Sequence, residues 1–178
     1  MTLKMFFLRI KEVFLLDQLT LFITLSTMQN DNNIRQIDTK EFKTAELFQK
    51  KFSSFFGNNI WKSEEIKNFV TTNKNLILVA FEKEKIVGLA IFIRVGEGLD
   101  IYTIFVEPLF RNKSIGTKFL KEAKNFCVLN SLKTIKLEVN KRNELAINFY
   151  KKNNFFCVGL RKNYYGFEDD ALIMELDI

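Results

Sequence analysis

The chain has 178 residues, 47% hydrophobic and 27% charged, a composition that suits one packed domain and argues against bulk disorder. It contains no histidine, which excludes a Ser-His-Asp triad, an HExxH zinc site and any histidine general base. The net charge of +6 favours anionic partners such as phosphates, nucleotides or RNA, without choosing among them.

Residues 1–33 form an apolar segment that is interrupted by charged side chains, among them Arg9, Lys11, Glu12 and Asp17. Its longest uncharged run, 18–30, is shorter than the roughly 20 residues that span a bilayer, and no small-residue cleavage site follows it. We therefore expect an N-terminal extension of unknown role, with no membrane span and no signal peptide. Two alternatives stay open: a mis-set start, because Met28 precedes the folded pattern, and a helix lying on a membrane surface.

From residue 34 the pattern becomes regular, and we predict one α/β domain over residues 34–178. A short strand, NIRQI, precedes Asp38 and Glu41, which have the spacing of a capping box at a helix start. The helix that follows is predicted to carry the aromatic residues of 42–55 at helical spacing. Ser63 and the two acids after it mark a second helix start.

The rest of the chain predicts a hairpin followed by alternating helices and strands. Strands are expected at 76–81, 86–93, 99–107, 134–140, 155–160 and 170–178, and helices at 114–129 and 143–152. The strand–helix–strand unit at 99–140 predicts a right-handed crossover between two parallel strands. The loop at 108–114 would then lie at a carboxyl edge of the sheet, where open α/β folds bind ligands.

The two cysteines, Cys127 and Cys157, are far apart in sequence and lie in apolar surroundings. We predict that both are reduced residues of the core, as is usual for cysteines of a cytosolic protein. Two cysteines without histidine make a poor set of metal ligands, so no metal site is expected.

Residues 111–117, RNKSIGT, follow a strand and begin a helix. A helix start offers unpaired N–H groups and a partial positive charge, which can hold a phosphate if side chains leave the backbone accessible. Gly116 would supply that clearance, Ser114 carries a hydroxyl that can donate, and Arg111 and Lys113 add positive charge. Taken alone, the segment is better explained as a solvated basic helix after a turn, because charge runs on helices are common.

The same segment resembles motif A of the GCN5-related N-acetyltransferases (GNAT), V-x-P-x-x-[RQ]-x-x-G-x-G/A. Val106, Pro108, Arg111 and Gly116 are in register, and Ser114 replaces the first glycine. The resemblance implies an α/β fold with a mixed, mostly antiparallel sheet of about seven strands, a central parallel pair and about four flanking helices. It also implies acetyl-CoA as co-substrate, held by a strand that pairs with pantetheine (Ile104, Phe105 and Val106) and a pyrophosphate loop (Arg111, Asn112, Lys113, Ser114, Ile115, Gly116 and Thr117).

Residues 137–176 are similar to the C-terminal half of the RimI-type ribosomal-protein-alanine N-acetyltransferases. The shared residues are Leu137, Glu138, Val139, Asn143, Ala146, Ile147, Tyr150, Phe155, Arg161, Tyr164, Tyr165, Asp170, Ala171 and Met174. This resemblance implies acetylation of the N-terminal alanine of a small-subunit ribosomal protein, in the cytoplasm and without specific nucleic-acid binding. Two residues depart from the pattern: Asn140 replaces arginine, and Asn154 replaces a glycine that ends a helix, where asparagine is the next-best residue.

The resemblance assigns the chemistry to two residues, Glu138 as general base and Tyr150 as the acid that protonates the leaving thiolate. Without that context, Glu138 is a solvent-facing strand residue and Tyr150 a core aromatic. An α-amino group has a pKa of about 7.7–8.0, against about 10.4 for lysine, so a carboxylate base modestly favours N-termini as acceptors.

The remaining assignments are also those that the resemblance implies. Asn143 would hydrogen-bond the cofactor, and its alternative role as a helix cap could coexist. Trp61, Tyr164 and Tyr165 would line the acceptor site, and ordinary packing is the alternative for the two tyrosines. Two other functions stay open: a GNAT enzyme that acetylates lysine or a small amine, and a non-catalytic basic module that binds acyl-CoA or RNA.

Overall fold

The computed structural model describes residues 33–56, 60–72 and 75–178. The extension predicted for residues 1–33 lies outside the described residues except at its last position. The strands are β1 (Asn33–Gln36), β2 (Leu76–Glu82), β3 (Lys85–Val95), β4 (Gly98–Val106), β5 (Thr134–Asn140), β6 (Phe156–Gly166) and β7 (Asp169–Asp177). The helices are α1 (Phe42–Lys51), α2 (Ser53–Phe56), α3 (Ser63–Thr72), α4 (Ile115–Leu129) and α5 (Glu144–Lys152), with short 3-10 turns at Thr39–Glu41 and Pro108–Phe110.

All seven strands join one sheet in the order β1-β2-β3-β4-β5-β7-β6. The central pair β4/β5 is parallel, whereas β2/β3, β3/β4, β5/β7 and β6/β7 are antiparallel. The predicted mixed sheet with a parallel pair is therefore confirmed. The described residues form five helices rather than about four, because the predicted helix over 42–55 is broken at Phe52, where ψ is +37°.

Two helices cover one face of the sheet and three helices cover the other. Helices α4 and α5 pack on one side, which we call the α4 face, against a core that includes Phe119, Leu120 and Ile135. Helices α1 to α3 pack on the opposite side, the α1 face, around Phe48 and Phe105. Strand β2 is buried on both faces, and this explains why LILVAF reads as an unbroken apolar run rather than an alternating one.

Two local predictions are confirmed by the backbone. Asp38 and Glu41 form both hydrogen bonds of the capping box before α1. Asn154 lies after α5 with φ at +71°, in the left-handed region where the family pattern has glycine.

The cysteine prediction is half wrong. Cys127 is fully buried in α4, but Cys157 is exposed. The reason is position: Cys157 lies on β6, the edge strand, which packs chiefly on β7 and is exposed along nearly its whole length. Apolar neighbours in the sequence do not bury a side chain at an edge that no helix covers.

Candidate functional site

Strands β4 and β5 are paired only where they begin. Their parallel register runs from Gly98 and Thr134 to Asp100 and Lys136, although both strands continue. Beyond these pairs the strands separate into an opening, which we call the fork. A Cβ at Gly98 would lie 2.6 Å from the Thr134 Oγ1, so glycine permits the close approach at the closed end. In the described chain, the β5 side of residues 101–106 has no strand partner.

A β-bulge lies just inside the fork. The register between β3 and β4 shifts there and leaves Tyr102 without a partner residue on β3. The Tyr102 ring lies 5.3 Å from the ring of Trp61, which packs on the α1 face against Phe69 at 4.5 Å. Trp61, predicted to line the acceptor site, therefore lies next to the fork.

The loop at 111–117 presents its backbone. No hydrogen bond from the N–H groups of residues 112–117 is formed within the described residues, and the Lys118 N–H is the first to bond, to the Ser114 carbonyl at 3.0 Å. Arg111 closes the loop, because its Nε donates to the Val106 carbonyl at 3.2 Å. Free N–H groups at the start of a long helix are suited to an anion. Of the predicted contact residues, Phe105 and Ile115 have buried side chains and offer only backbone.

Ser114 has φ at +59° and ψ at +11°, in the left-handed region. The motif's glycine at this position is thus explained by conformation, since non-glycine residues are strained there. The serine hydroxyl makes no capping bond to the helix.

We expect Ser114→Gly to stabilise the fold by about 0.5–1 kcal/mol, because about 1–2 kcal/mol of backbone strain is removed and glycine's larger unfolded-state entropy offsets part of it. The midpoint temperature of thermal unfolding should rise by about 2–4 °C for each kcal/mol of added stability. The KM for acetyl-CoA should stay equal or fall. Ser114→Ala is the control, since it removes the hydroxyl and keeps the strain. A large rise in the KM for acetyl-CoA in both variants would instead indicate that the Ser114 hydroxyl contacts acetyl-CoA.

Gly116 has a packing role besides the predicted phosphate clearance. A Cβ at Gly116 would lie 3.0 Å from the Phe149 Cζ and 3.1 Å from its Cε2. Glycine therefore lets α4 approach the aromatic ring of α5 at this point. The sequence showed the glycine but not the ring it accommodates.

Glu138 lies on β5 beside the fork, on the α1 face. The alternation is as predicted, because Ile135, Leu137 and Val139 are buried in the core of the α4 face and Glu138 faces the other way. Its side chain is 27% exposed, and its Oε1 lies 3.1 Å from the Arg161 Nη1. The carboxylate is thus partly buried, accessible and held by a guanidinium.

Tyr150 lies on α5, on the opposite face from Glu138, and packs against the core beside Phe149 and Phe155. Burial raises the pKa of Tyr150 above its ordinary value, and the nearby Tyr165, which is negative only when ionised, adds a smaller contribution, so the Tyr150 hydroxyl keeps its proton at neutral pH. Within the described part of the chain this hydroxyl makes no hydrogen bond, and it is not sealed from solvent. It is a free donor.

Asn143 is the N-cap of α5, where its Oδ1 accepts from the Ala146 N–H at 3.1 Å. The capping role is therefore present, and the Nδ2 stays available to a ligand. Tyr165 donates from its hydroxyl to the Glu138 carbonyl at 3.1 Å. Tyr164 contacts Tyr165 edge-on and carries the Arg161 guanidinium over its ring at 5.1 Å. Both tyrosines thus adjoin the Glu138 site.

The position of Trp61 is fixed by a buried amide on α1. Gln49 is fully buried, and its Oε1 accepts from the Trp61 N–H at 3.1 Å while its Nε2 donates to the Trp61 carbonyl at 3.3 Å. One turn earlier, Glu46 accepts from both the N–H and the hydroxyl of Ser63 at the start of α3. Helix α1 thereby positions the segment that lies beside Tyr102.

Glu46 gives a pH test of this anchor. The Lys50 ammonium, followed by the two Ser63 donors, lowers the pKa of Glu46 from 4.5 to about 2. The stabilisation is therefore complete above pH 4.5 and is lost as pH falls toward 2. In urea unfolding, the stability difference between the wild type and Glu46→Gln should be constant above that range and shrink below it. A Glu46→Gln difference that does not change with pH would contradict the anchor.

Asp100 and Tyr102 are candidate site residues that we did not predict from the sequence. Both lie on β4, and period-two alternation in LDIYTIFV sets them on the face opposite the buried Ile101. The charged residue Asp100 within a largely apolar strand was the feature of the sequence that could have indicated the site. Nothing in the sequence indicated Gln49, because it belongs to the candidate site only through its hydrogen bonds to the backbone of Trp61.

Comparison with known proteins defines the family. The sequence model of the Acetyltransferase (GNAT) family matches residues 34–155. The chain therefore belongs to this family of N-acetyltransferases, whose co-substrate is acetyl-CoA, and the predicted family is confirmed.

Two relatives match parts of the chain. An uncharacterized protein of Mycobacterium leprae is 31% identical over 118 residues, which are 64% of this chain and 32% of that protein, so the chain spans about a third of its length. The N-alpha-acetyltransferase RimI of Mycobacterium tuberculosis is 28% identical over 128 residues, covering 69% of this chain and 79% of that protein.

Solved structures share the fold. The ribosomal-protein-S18-alanine N-acetyltransferase of Escherichia coli superposes with a TM-score of 0.68 at 23% identity, covering 83% of this chain and 94% of that chain. The PaiA N-acetyltransferase of Thermoplasma acidophilum, in complex with coenzyme A, has a TM-score of 0.64 at 19% identity and covers 82% and 98%.

Within residues 33–56, 60–72 and 75–178, no group of three or more Cys, Asp or Glu side chains is placed to hold a metal ion. None of the helices in this part of the chain is both long and apolar enough to cross a membrane.

Proposed function

We propose that the protein is a cytoplasmic N-α-acetyltransferase that transfers an acetyl group from acetyl-CoA to the N-terminal alanine of a small-subunit ribosomal protein. The observation that carries the proposal is that Glu138 lies on β5 beside the fork, whereas Tyr150 packs on the opposite face of the sheet with a hydroxyl that makes no hydrogen bond within the described residues. A base on one side and a donor on the other suit a reaction whose two substrates meet in the opening.

Three sets of groups in the chain suit acetyl-CoA. The free N–H groups at 112–117 supply donors for the pyrophosphate, with Arg111 and Lys113 in the same loop. The unpaired edge of β4, which includes Ile104 to Val106, supplies backbone groups for the amides of pantetheine. Asn143 offers its Nδ2 at the start of α5. Bound there, acetyl-CoA supplies the activated acetyl group as a thioester.

The reaction then needs three proton transfers. Glu138 accepts the first proton from the acceptor's ammonium, directly or through water, and so frees the nitrogen lone pair. The amine nitrogen bonds to the acetyl carbon as the carbon–sulfur bond breaks, and the nitrogen then gives up its second proton to solvent to become the amide. Tyr150 gives its proton to the departing sulfur, and both side chains return to their starting states by exchange with solvent.

The choice of an N-terminal acceptor is supported by two considerations. An α-amine has a pKa of about 7.7–8.0, so a carboxylate deprotonates it more readily than a lysine near 10.4. The RimI and S18-alanine acetyltransferase names belong to a relative and a structural neighbour of this chain. The residues shared over 137–176 extend that likeness through the acceptor side of the fork.

A thiol-release assay with three acceptor classes tests the proposal. Peptides with N-terminal alanine should release CoA thiol from acetyl-CoA much faster than α-blocked lysine peptides or small polyamines. Release with polyamines or lysine alone would reassign the acceptor. Tight acetyl-CoA binding with no release for any amine would indicate a non-catalytic module.

A further inference from the structure

Five charged side chains share the α1 face around the fork, and four of them are paired. The Lys136 Nζ lies 3.1 Å from the Glu175 Oε2, and the Arg161 Nη1 lies 3.1 Å from the Glu138 Oε1. The fifth, Asp100, stands at the last parallel pair before the strands separate. Within the described residues it makes no hydrogen bond and no ion pair.

An unpaired carboxylate in this position is unfavourable for the free protein. Asp100 is partly buried, and burying a charge without a partner weakens stability. Burial first, and the charge of Glu138 second, raises the pKa of Asp100 above its ordinary value. Lys136 and Arg161, each in an ion pair with another carboxylate, lower the pKa of Asp100 by less. A cation brought to the fork would relieve both effects.

The neighbours of Asp100 show where such a cation would come from. Asp100 shares its face with Glu138, and two residues further along β4 lies Tyr102, which contacts Trp61. This is the acceptor side of the fork rather than the side of Tyr150. At neutral pH most α-amines, with a pKa of about 7.7–8.0, are ammonium ions.

We propose that Asp100 binds the ammonium form of the acceptor's N-terminus and makes the site selective for a cationic amine. This rests on the proposed function and deepens it, because Glu138 remains the base and Asp100 supplies the charge that holds the amine before deprotonation. Asp100 is then a substrate-binding residue whose loss affects acceptor affinity and spares the chemical step.

The test compares two peptides of identical sequence, one with N-terminal alanine and one in which the α-amine is replaced by hydrogen. Binding to the CoA-loaded enzyme at pH 7 is followed by calorimetry and by the fluorescence of Trp61, the single tryptophan of the chain. The wild type should bind the amine peptide at least about tenfold more tightly, and Asp100→Asn should lose most of that preference. Glu97→Gln, which removes a carboxylate paired with Lys133 in the turn before β4, should keep it.

Steady-state kinetics separate binding from chemistry. Asp100→Asn should raise the KM for the peptide by a similar factor, with kcat and the KM for acetyl-CoA little changed. An undiminished preference in Asp100→Asn overturns the proposal, and so does a large fall in kcat with peptide affinity intact, which would make Asp100 the base. If the wild type neither binds nor acetylates the alanine peptide, the proposed acceptor is wrong and this inference fails with it.

Discussion

Glu138→Gln is expected to lower kcat by about 10²–10⁴-fold, the usual contribution of a positioned general base. The substitution keeps the size of the side chain and a hydrogen-bond acceptor near Arg161, but it removes the group that takes the proton. The KM for acetyl-CoA should not change, since Glu138 lies on the α1 face, the side on which we propose that the acceptor binds. Initial rates with an N-terminal alanine peptide measure the effect.

Two variants make the Glu138 result specific. Glu138→Asp keeps a carboxylate but retracts it, so its activity should lie between the wild type and Glu138→Gln. Glu97→Gln makes the same change of charge away from the fork and should match the wild type. A Glu138→Gln enzyme with a kcat equal to that of the wild type would remove Glu138 from the mechanism.

Tyr150→Phe should lower kcat by about 10²-fold, the lower end of the range for acid–base catalysis, because the departing sulfur loses its proton donor. The ring packs against Phe149 and Phe155 at centroid distances of 5.1 and 5.4 Å, and phenylalanine preserves both contacts. The hydroxyl makes no hydrogen bond within the described residues, so its removal leaves no orphaned partner there. Stability should therefore change by less than about 0.5–1 kcal/mol.

The Tyr150 experiment has a clear contrary outcome. If Tyr150→Phe unfolds at the wild-type temperature and retains the wild-type kcat, the raised pKa of Tyr150 reflects core packing alone and the acid is another group. If it loses activity together with several degrees of thermal stability, the loss cannot be assigned to the proton, and the free-donor geometry would be contradicted.

Periodicity was enough to orient β5. Alternation in TIKLEVN sends Ile135, Leu137 and Val139 into the core and turns Glu138 outward. The glycine-like conformation at Asn154 followed from its place after a helix. These features depend on neighbours in sequence, which a reader of the sequence can see.

Features that depend on distant contacts were not predictable. Nothing local in β4 or β5 indicates that pairing stops at Asp100, because both segments are good strands throughout. Asp100 has no ion-pair partner because the nearby cations, Lys136 and Arg161, are paired with Glu175 and Glu138. Gln49 and Trp61 are joined by hydrogen bonds although α2 lies between them in the sequence. Cys157 is exposed because β6 is the edge strand of the sheet.

The most direct test of the central claim is to locate the acetyl group by mass spectrometry on a peptide that begins with alanine and contains an internal lysine. We predict acetylation of the α-amine, dependent on acetyl-CoA and strongly reduced in Glu138→Gln. Acetylation confined to the lysine side chain, or no transfer to the peptide, would contradict the assignment of this fork as an N-terminal acetylation site.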